Sequence, residues 1–338
     1  MIKITASDRV DAIAQKWAAT LHVFLTEKLV GNNQVYVMLP GKSRLYFPSR
    51  WRKYLYDFNL CCPSKVSRQQ RRVAVRLLLD VFSSEANLIG RKAEVNRLKT
   101  VCEQLKINSP VVFDQIKNIC VRIYEDFTLK NAYAFLSKLN IRTCPYCNRH
   151  YTFTIEKDQK GDFCSRAEFD HFLDKSDYPL LAVSFYNLVP SCHECNHGKG
   201  VKDVKVNPYE AGFSSRFQLQ DPCSGKKLNA NEMLGLKTID DFNIGFENPS
   251  AEEQKNIETL GLIQLYNEHR DYALEMIEKY TAYDYATQRG LVDAFQGLFH
   301  SQSQIDDFIW GQYMHTAANQ NRPLSKLTAD ILHILRKR

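Results

Sequence analysis

The chain has 338 residues, 44% hydrophobic and 25% charged, a globular balance that excludes a disordered or low-complexity polypeptide. A formal net charge of +7 leans toward a polyanionic partner without naming one. No apolar run approaches a membrane span, and the opening Met1-Ile2-Lys3-Ile4-Thr5-Ala6-Ser7-Asp8 lacks the apolar centre of a signal peptide.

Residues 7–30 place Val10, Ile13, Trp17, Leu21 and Phe24 at helical spacing. Val35–Leu39 and Leu45–Phe47, interrupted by Pro40-Gly41, read as a short hairpin. Ser67 with Gln70 forms a capping-box pattern opening a helix over 68–83. Its Arg68, Arg72 and Arg76 share one face, which can contact phosphates but reads more readily as a solvated face or a pairing surface for an acidic partner. Ser109-Pro110 then starts a long helix with Val112, Ile116, Ile119, Ile123 and Phe127 as its buried stripe. It is expected to break near Thr128 and to end just before the first cysteine pair.

Cys144-Pro145-Tyr146-Cys147 is ambiguous alone, because a redox motif has the same form. A redox motif follows a strand and opens a helix. Here a helical pattern precedes and a strand-like Tyr151–Ile155 follows. A second pair, Cys192/Cys195, follows Cys147 with 44 residues between, and two such pairs make a tetrahedral Cys₄ site for structural Zn²⁺. The chain has ten cysteines; the remaining six are scattered, which fits a reducing cytoplasm better than a disulfide scaffold.

Between the pairs stand Glu168-Phe169-Asp170-His171-Phe172 and Asn187-Leu188, and the second pair runs into Asn196-His197-Gly198-Lys199-Gly200. If the first segment is a strand, Asp170 and His171 face opposite sides. Taken singly, each residue has a bland reading: an Asp-His pair carries no message, and an Asn after a zinc knuckle can simply cap a helix. Together and in this order, over about sixty residues, they resemble the HNH nuclease family in its zinc-bound form, which ends in Cys-x-x-Cys-Asn-x-x-Lys-Gly. The resemblance implies a β-hairpin packed on a helix, with an active site on one side and zinc on the other. It implies that His171 is the general base, that Asp170 and Asn196 hold a catalytic Mg²⁺ or Mn²⁺, and that Asn187 orients the base-bearing loop. Lys199 and His197 become possible phosphate contacts, although a solvated lysine is as good a reading. Those residue types suit phosphodiester hydrolysis: an imidazole can deprotonate water near neutral pH, and magnesium needs only one or two protein ligands.

Downstream, 216–246 is strand-like, and Ser250 with Glu253 opens a further long helix through Ile257, Leu260, Ile263, Tyr266 and Arg270. The string Leu260–Arg270 resembles the helix after the HNH core in bacterial nucleases paired with an ATPase, such as the Septu-type antiphage subunit and the HNH effectors of some retrons. The expected architecture is α+β and mainly α-helical, with a ββα-metal, treble-clef-like HNH core stapled by zinc. The expected domains are a helical region over 1–140, the nuclease core over 141–212 and a helical region over 213–338. The expected function is a cytoplasmic DNA endonuclease of antiphage defence, with an ATPase or a second copy as partner and no membrane. A catalytically silent zinc-ribbon adaptor and an RNA-cleaving toxin stay open as alternatives.

Overall fold

A computed structural model describes residues 1–4, 8–26, 35–38, 44–47, 90–156, 164–283, 301–312 and 321–337, with single positions at 77, 78, 81, 287, 289, 290, 294 and 299. The chain divides into two compact units: residues 6–140 with 154–189, and residues 1–5 with 141–153 and 190–338. Both contribute to a mainly helical α+β protein whose described sheets are two-stranded. No described helix is long and apolar enough to cross a membrane.

In the 6–140/154–189 unit, helix α1 (Asp8–Thr26) packs on α3 (Pro110–Leu139), with α2 (Glu94–Asn108) against α3 as well. The apolar stripe of α3 is wholly buried at Val112, Ile116, Ile119, Ile123 and Phe127, as its spacing predicts. The expected break near Thr128 is absent. The helix runs unbroken to Leu139 and stops at Asn140, whose φ of 49° is the left-handed cap. Trp17 explains the continuity, because its edge meets both Phe127 and Phe135 at 4.7 and 4.9 Å, bridging two turns of α3 on either side of Thr128. Gly90 closes on α1 where no side chain fits: a Cβ there would lie 2.8 Å from the Ala14 carbonyl.

The predicted hairpin forms from β1 (Val35–Met38) and β2 (Arg44–Phe47), antiparallel with Val35 opposite Phe47 and Met38 opposite Arg44. The arginine stripe on 68–83 and its capping box lie outside the described residues. Later in the chain β3 (Glu168–His171) pairs with β4 (Leu188–Ser191), and α4 (His193–Lys199) follows. The strand-like stretch Tyr151–Ile155 contributes only isolated bridges, Thr143 with Tyr151 and Ile155 with Ser165.

In the other unit, β5 (Arg216–Gln220) pairs antiparallel with β6 (Asn243–Glu247), Phe217 opposite Phe246 and Leu219 opposite Ile244. Helix α5 (Ala230–Leu234) lies between them in sequence. Ser250 caps the next helix in a full capping box, its hydroxyl accepting from Glu253 N at 3.2 Å while Glu253 accepts from Ser250 N at 3.0 Å. The single long helix expected from there is instead three: α6 (Ala251–Thr259), α7 (Leu262–Asn267) and α8 (Arg270–Ala282). The first break is Gly261, at φ 60°. At the second, the side chain of Asn267 ties the helix end to β6, accepting from Ile244 N at 2.9 Å and donating to Ile244 O at 3.0 Å and to Ile263 O of its own helix at 2.8 Å. Helices α9 (Gln302–Trp310) and α10 (Ser325–Leu335) complete the unit, α10 packing on β5 and α8.

Candidate metal centre and active site

The four sulfurs of Cys144, Cys147, Cys192 and Cys195 all lie within 4.8 Å of one another. Two tight turns bring them there. After Cys144 the backbone closes through Asn148 N on Cys144 O at 2.7 Å, which requires the left-handed φ of 53° at Asn148. Cys192 is the N-cap of α4, its sulfur accepting from Cys195 N at 3.5 Å, so Cys195 returns to the same point one turn later. Cys147 and Cys192 sulfurs stand 3.8 Å apart. A regular tetrahedron with Zn–S arms of about 2.3 Å has edges of about 3.8 Å, so the spacing fits zinc. The thiol chemistry fits too. Hydrogen bonds first from Cys144 hold Cys147 and Cys192 below the ordinary thiol range, whereas burial pushes Cys144 well above it. The Cys144 sulfur, followed by the other two, also holds Cys195 up. Buried sulfurs sharing protons are what a soft-ligand cation replaces. By contrast Cys102, pushed up to about 12, and Cys120 are held up by burial as inert core thiols.

The first turn is locked by its neighbours. Asn148, 1% exposed, accepts on Oδ1 from Ser325 Oγ (3.1 Å) and Lys326 N (3.0 Å), and donates from Nδ2 to Arg322 O (3.2 Å). The Tyr266 hydroxyl donates to Cys147 O. Arg149 donates from Nε to His269 Nε2 at 2.9 Å and pairs through Nη1 with Glu194 at 3.2 Å, which also meets His150 at 2.9 Å. His269 is therefore the neutral tautomer, and burial, with Arg149 second, lowers its pKa below the ordinary value. Sequence reasoning left His150 without a role and missed Asn148 and Tyr266. The Asn directly after Cys147 was the available signal.

Asp170 and His171 sit in the 6–140/154–189 unit; Asn196, His197 and Lys199 sit with the cysteines in the other. Strand β3 is buried on both faces from Phe169 to His171, with Asp170 2% and His171 8% exposed. His171 Nε2 lies 2.9 Å from the carbonyl of Ala182. A carbonyl only accepts, so Nε2 carries a proton, and in the neutral ring Nδ1 is the basic nitrogen. Asn187, wholly buried, holds both ends of that contact. Its Oδ1 accepts from Leu173 N (2.8 Å), just after His171, and its Nδ2 donates to Leu173 O (3.0 Å) and to Leu181 O (3.1 Å), one residue before Ala182. Trp17 Nε1 steadies the same turn by donating to Val183 O at 2.8 Å. Tyr124 sets its ring edge-on to the imidazole at 4.6 Å, and burial pushes its phenol up to about 12, so the hydroxyl stays neutral. Neither Tyr124 nor Trp17 carried a sequence signal for this role, since each reads as one more apolar position on its helix.

Of the expected phosphate contacts, His197 is exposed, as is His193, while Lys199 is 1% exposed and so is neither a solvated lysine nor a surface cation. Asn196 is partly exposed on α4.

No family model matches the chain, and no solved structure matches it. It is similar to the Septu protein PtuB of Bacillus thuringiensis, 30% identical over 109 residues, which is 31% of this chain and 37% of PtuB. It is also similar to Protein ea31 of Escherichia phage lambda, 38% identical over 56 residues, 17% of this chain and 14% of that protein. The chain thus spans well under half the length of either relative.

Proposed function

We propose that the chain is a metal-dependent endonuclease of the HNH type that cleaves DNA as part of an antiphage defence system. The observation that carries this reading is the buried imidazole of His171, fixed through Nε2 on the Ala182 carbonyl at 2.9 Å, the orientation in which the neutral ring has Nδ1 as its basic nitrogen. Three further features support it: the zinc-shaped cysteine tetrad, the chain order β3, β4, α4, which is that of a ββα-metal core, and the similarity to PtuB. In this reading His171 Nδ1 takes a proton from the attacking water. Asn187 keeps the His171 and Ala182 segments in register so that the ring does not swing. Asp170 and Asn196 offer one carboxylate and one amide oxygen, a donor set suited to a hard divalent ion that completes its shell with water and phosphate. Such an ion, Mg²⁺ or Mn²⁺, would stabilise charge on the scissile phosphate and the leaving oxygen. The exposed His197 is the phosphate contact on α4, and Zn²⁺ on the four cysteines is structural. The regions 1–140 and 213–338 then serve docking and control, with an ATPase subunit as the partner and the cytoplasm as the setting.

The test is incubation of the purified protein with plasmid, single-stranded DNA and total RNA, with Mg²⁺ or Mn²⁺ added or omitted. Omission is preferable to a chelator, which would also strip the tetrad. Cleavage of DNA only with added metal supports the proposal. Cleavage of RNA alone makes the protein a ribonuclease, and no cleavage in the presence of its partner makes it a binding module.

A further inference from the structure

Beside the first zinc turn the short hairpin stem leaves two aromatic rings in the open. Tyr151 is 50% and Phe153 40% exposed, and they stack at 4.5 Å with 20° between their planes. The guanidinium of Arg142 lies over Phe153 at 5.3 Å. Apolar rings of this size are normally buried, so an exposed stacked pair calls for a ligand. Tyr151 and Arg142 line a cavity of about 510 Å³ together with Gln312, Asn321 and Arg322, all within the unit that carries the cysteines. The lining has two cations and no anion.

Gln312 lines the same cavity; it is 7% exposed, and its Nε2 donates to Tyr272 Oη at 3.1 Å and Pro323 O at 2.9 Å, which fixes the amide.

We infer that this cavity holds one nucleotide, its phosphate at Arg142 and Arg322 and its base stacked on Tyr151. Each demand is chemically distinct. The planar guanidinium fork of arginine pairs with two phosphate oxygens, and aromatic faces take any unpaired base. A base inside a duplex is stacked on both faces, so the ligand is a free nucleotide or an unpaired one within a strand. The inference does not rest on the nuclease reading, since a nucleotide can be held where nothing is cut.

The experiment uses the full chain, loaded with zinc and carrying His171→Ala so that no ligand is consumed. Adenosine monophosphate is titrated by calorimetry, and a short single-stranded oligodeoxynucleotide by fluorescence anisotropy. Binding of the mononucleotide identifies a free nucleotide as the ligand; binding of the strand alone identifies a nucleotide within it. In either arm Tyr151→Leu and Arg142→Gln should each weaken binding by about tenfold or more, while Tyr151→Phe, which keeps the ring, should bind like the parent. Both side chains are exposed, so these variants should melt at the parent temperature. Failure to bind either probe, or affinity unchanged in Tyr151→Leu and Arg142→Gln, overturns the inference. DNA cleavage by the unmodified chain alongside such a failure would leave the nuclease reading untouched.

Discussion

His171 Nε2 is held by the backbone carbonyl of Ala182, and Asn187 secures the segment that carries that carbonyl. Replacing Asn187 by Ala leaves Leu173 N, Leu173 O and Leu181 O without its side chain, at about 1–3 kcal/mol for the buried Leu181 O and less for the half-exposed Leu173 groups. Asn187→Ala should therefore unfold earlier in urea. It should also cleave more slowly than the parent at a temperature where both are folded; equal cleavage there would show that the imidazole needs no such support. His269 gives a pH prediction. Its folded pKa lies below the unfolded value of about 6.5, so as pH falls the unfolded chain takes up a proton first. Its contribution to stability is complete above about pH 6.5 and is lost below it. Melting curves across that window should fall less steeply for His269→Gln than for the parent.

Elements whose boundaries are written in local chemistry were legible in the sequence. The stripe of α3, the hairpin at 35–47 and the capping box at Ser250 are all found where spacing and end residues put them. Illegible were the features decided at a distance. The continuity of α3 through Thr128 depends on Trp17, more than a hundred residues earlier, and the interruption of the helix after Ser250 depends on Asn267 bonding to β6. Strand β3 is buried on both faces, so no alternation of polar and apolar residues marked which side Asp170 and His171 would take. The cysteine tetrad was legible in full because its ligands announce themselves by spacing, whereas the anchoring of its first turn by Asn148 was not. At this scale Gly261→Ala should cost about 1 kcal/mol, because it forces a Cβ into φ 60°. Ser250→Ala should cost a similar amount through the lost cap. Urea denaturation measures both, and a null effect at Gly261 would mean that the break between α6 and α7 is set elsewhere.

For the molecule as a whole, the tetrad is more than a local staple. The turn at Cys144–Cys147 is bonded to the start of α10 through Asn148 and to α7 through Tyr266. Structural zinc contributes folding free energy on the order of ten kcal/mol. Cys144→Ser or Cys195→Ser should lose the metal and strip hydrogen-exchange protection from residues 141–153, 190–200 and 321–337. Well-folded protein containing no zinc by elemental analysis would remove the metal from the description.

The central claim is that a fixed imidazole, His171, cuts nucleic acid. It is tested most directly by measuring plasmid cleavage by the parent and by His171→Ala side by side, with Mg²⁺ or Mn²⁺ and with any partner the protein requires. Zinc content and melting temperature are determined on the same samples. Loss of the general base should slow cleavage by about 10²–10⁴-fold while zinc and melting temperature stay at the parent values. Cleavage by His171→Ala at the parent rate would contradict it.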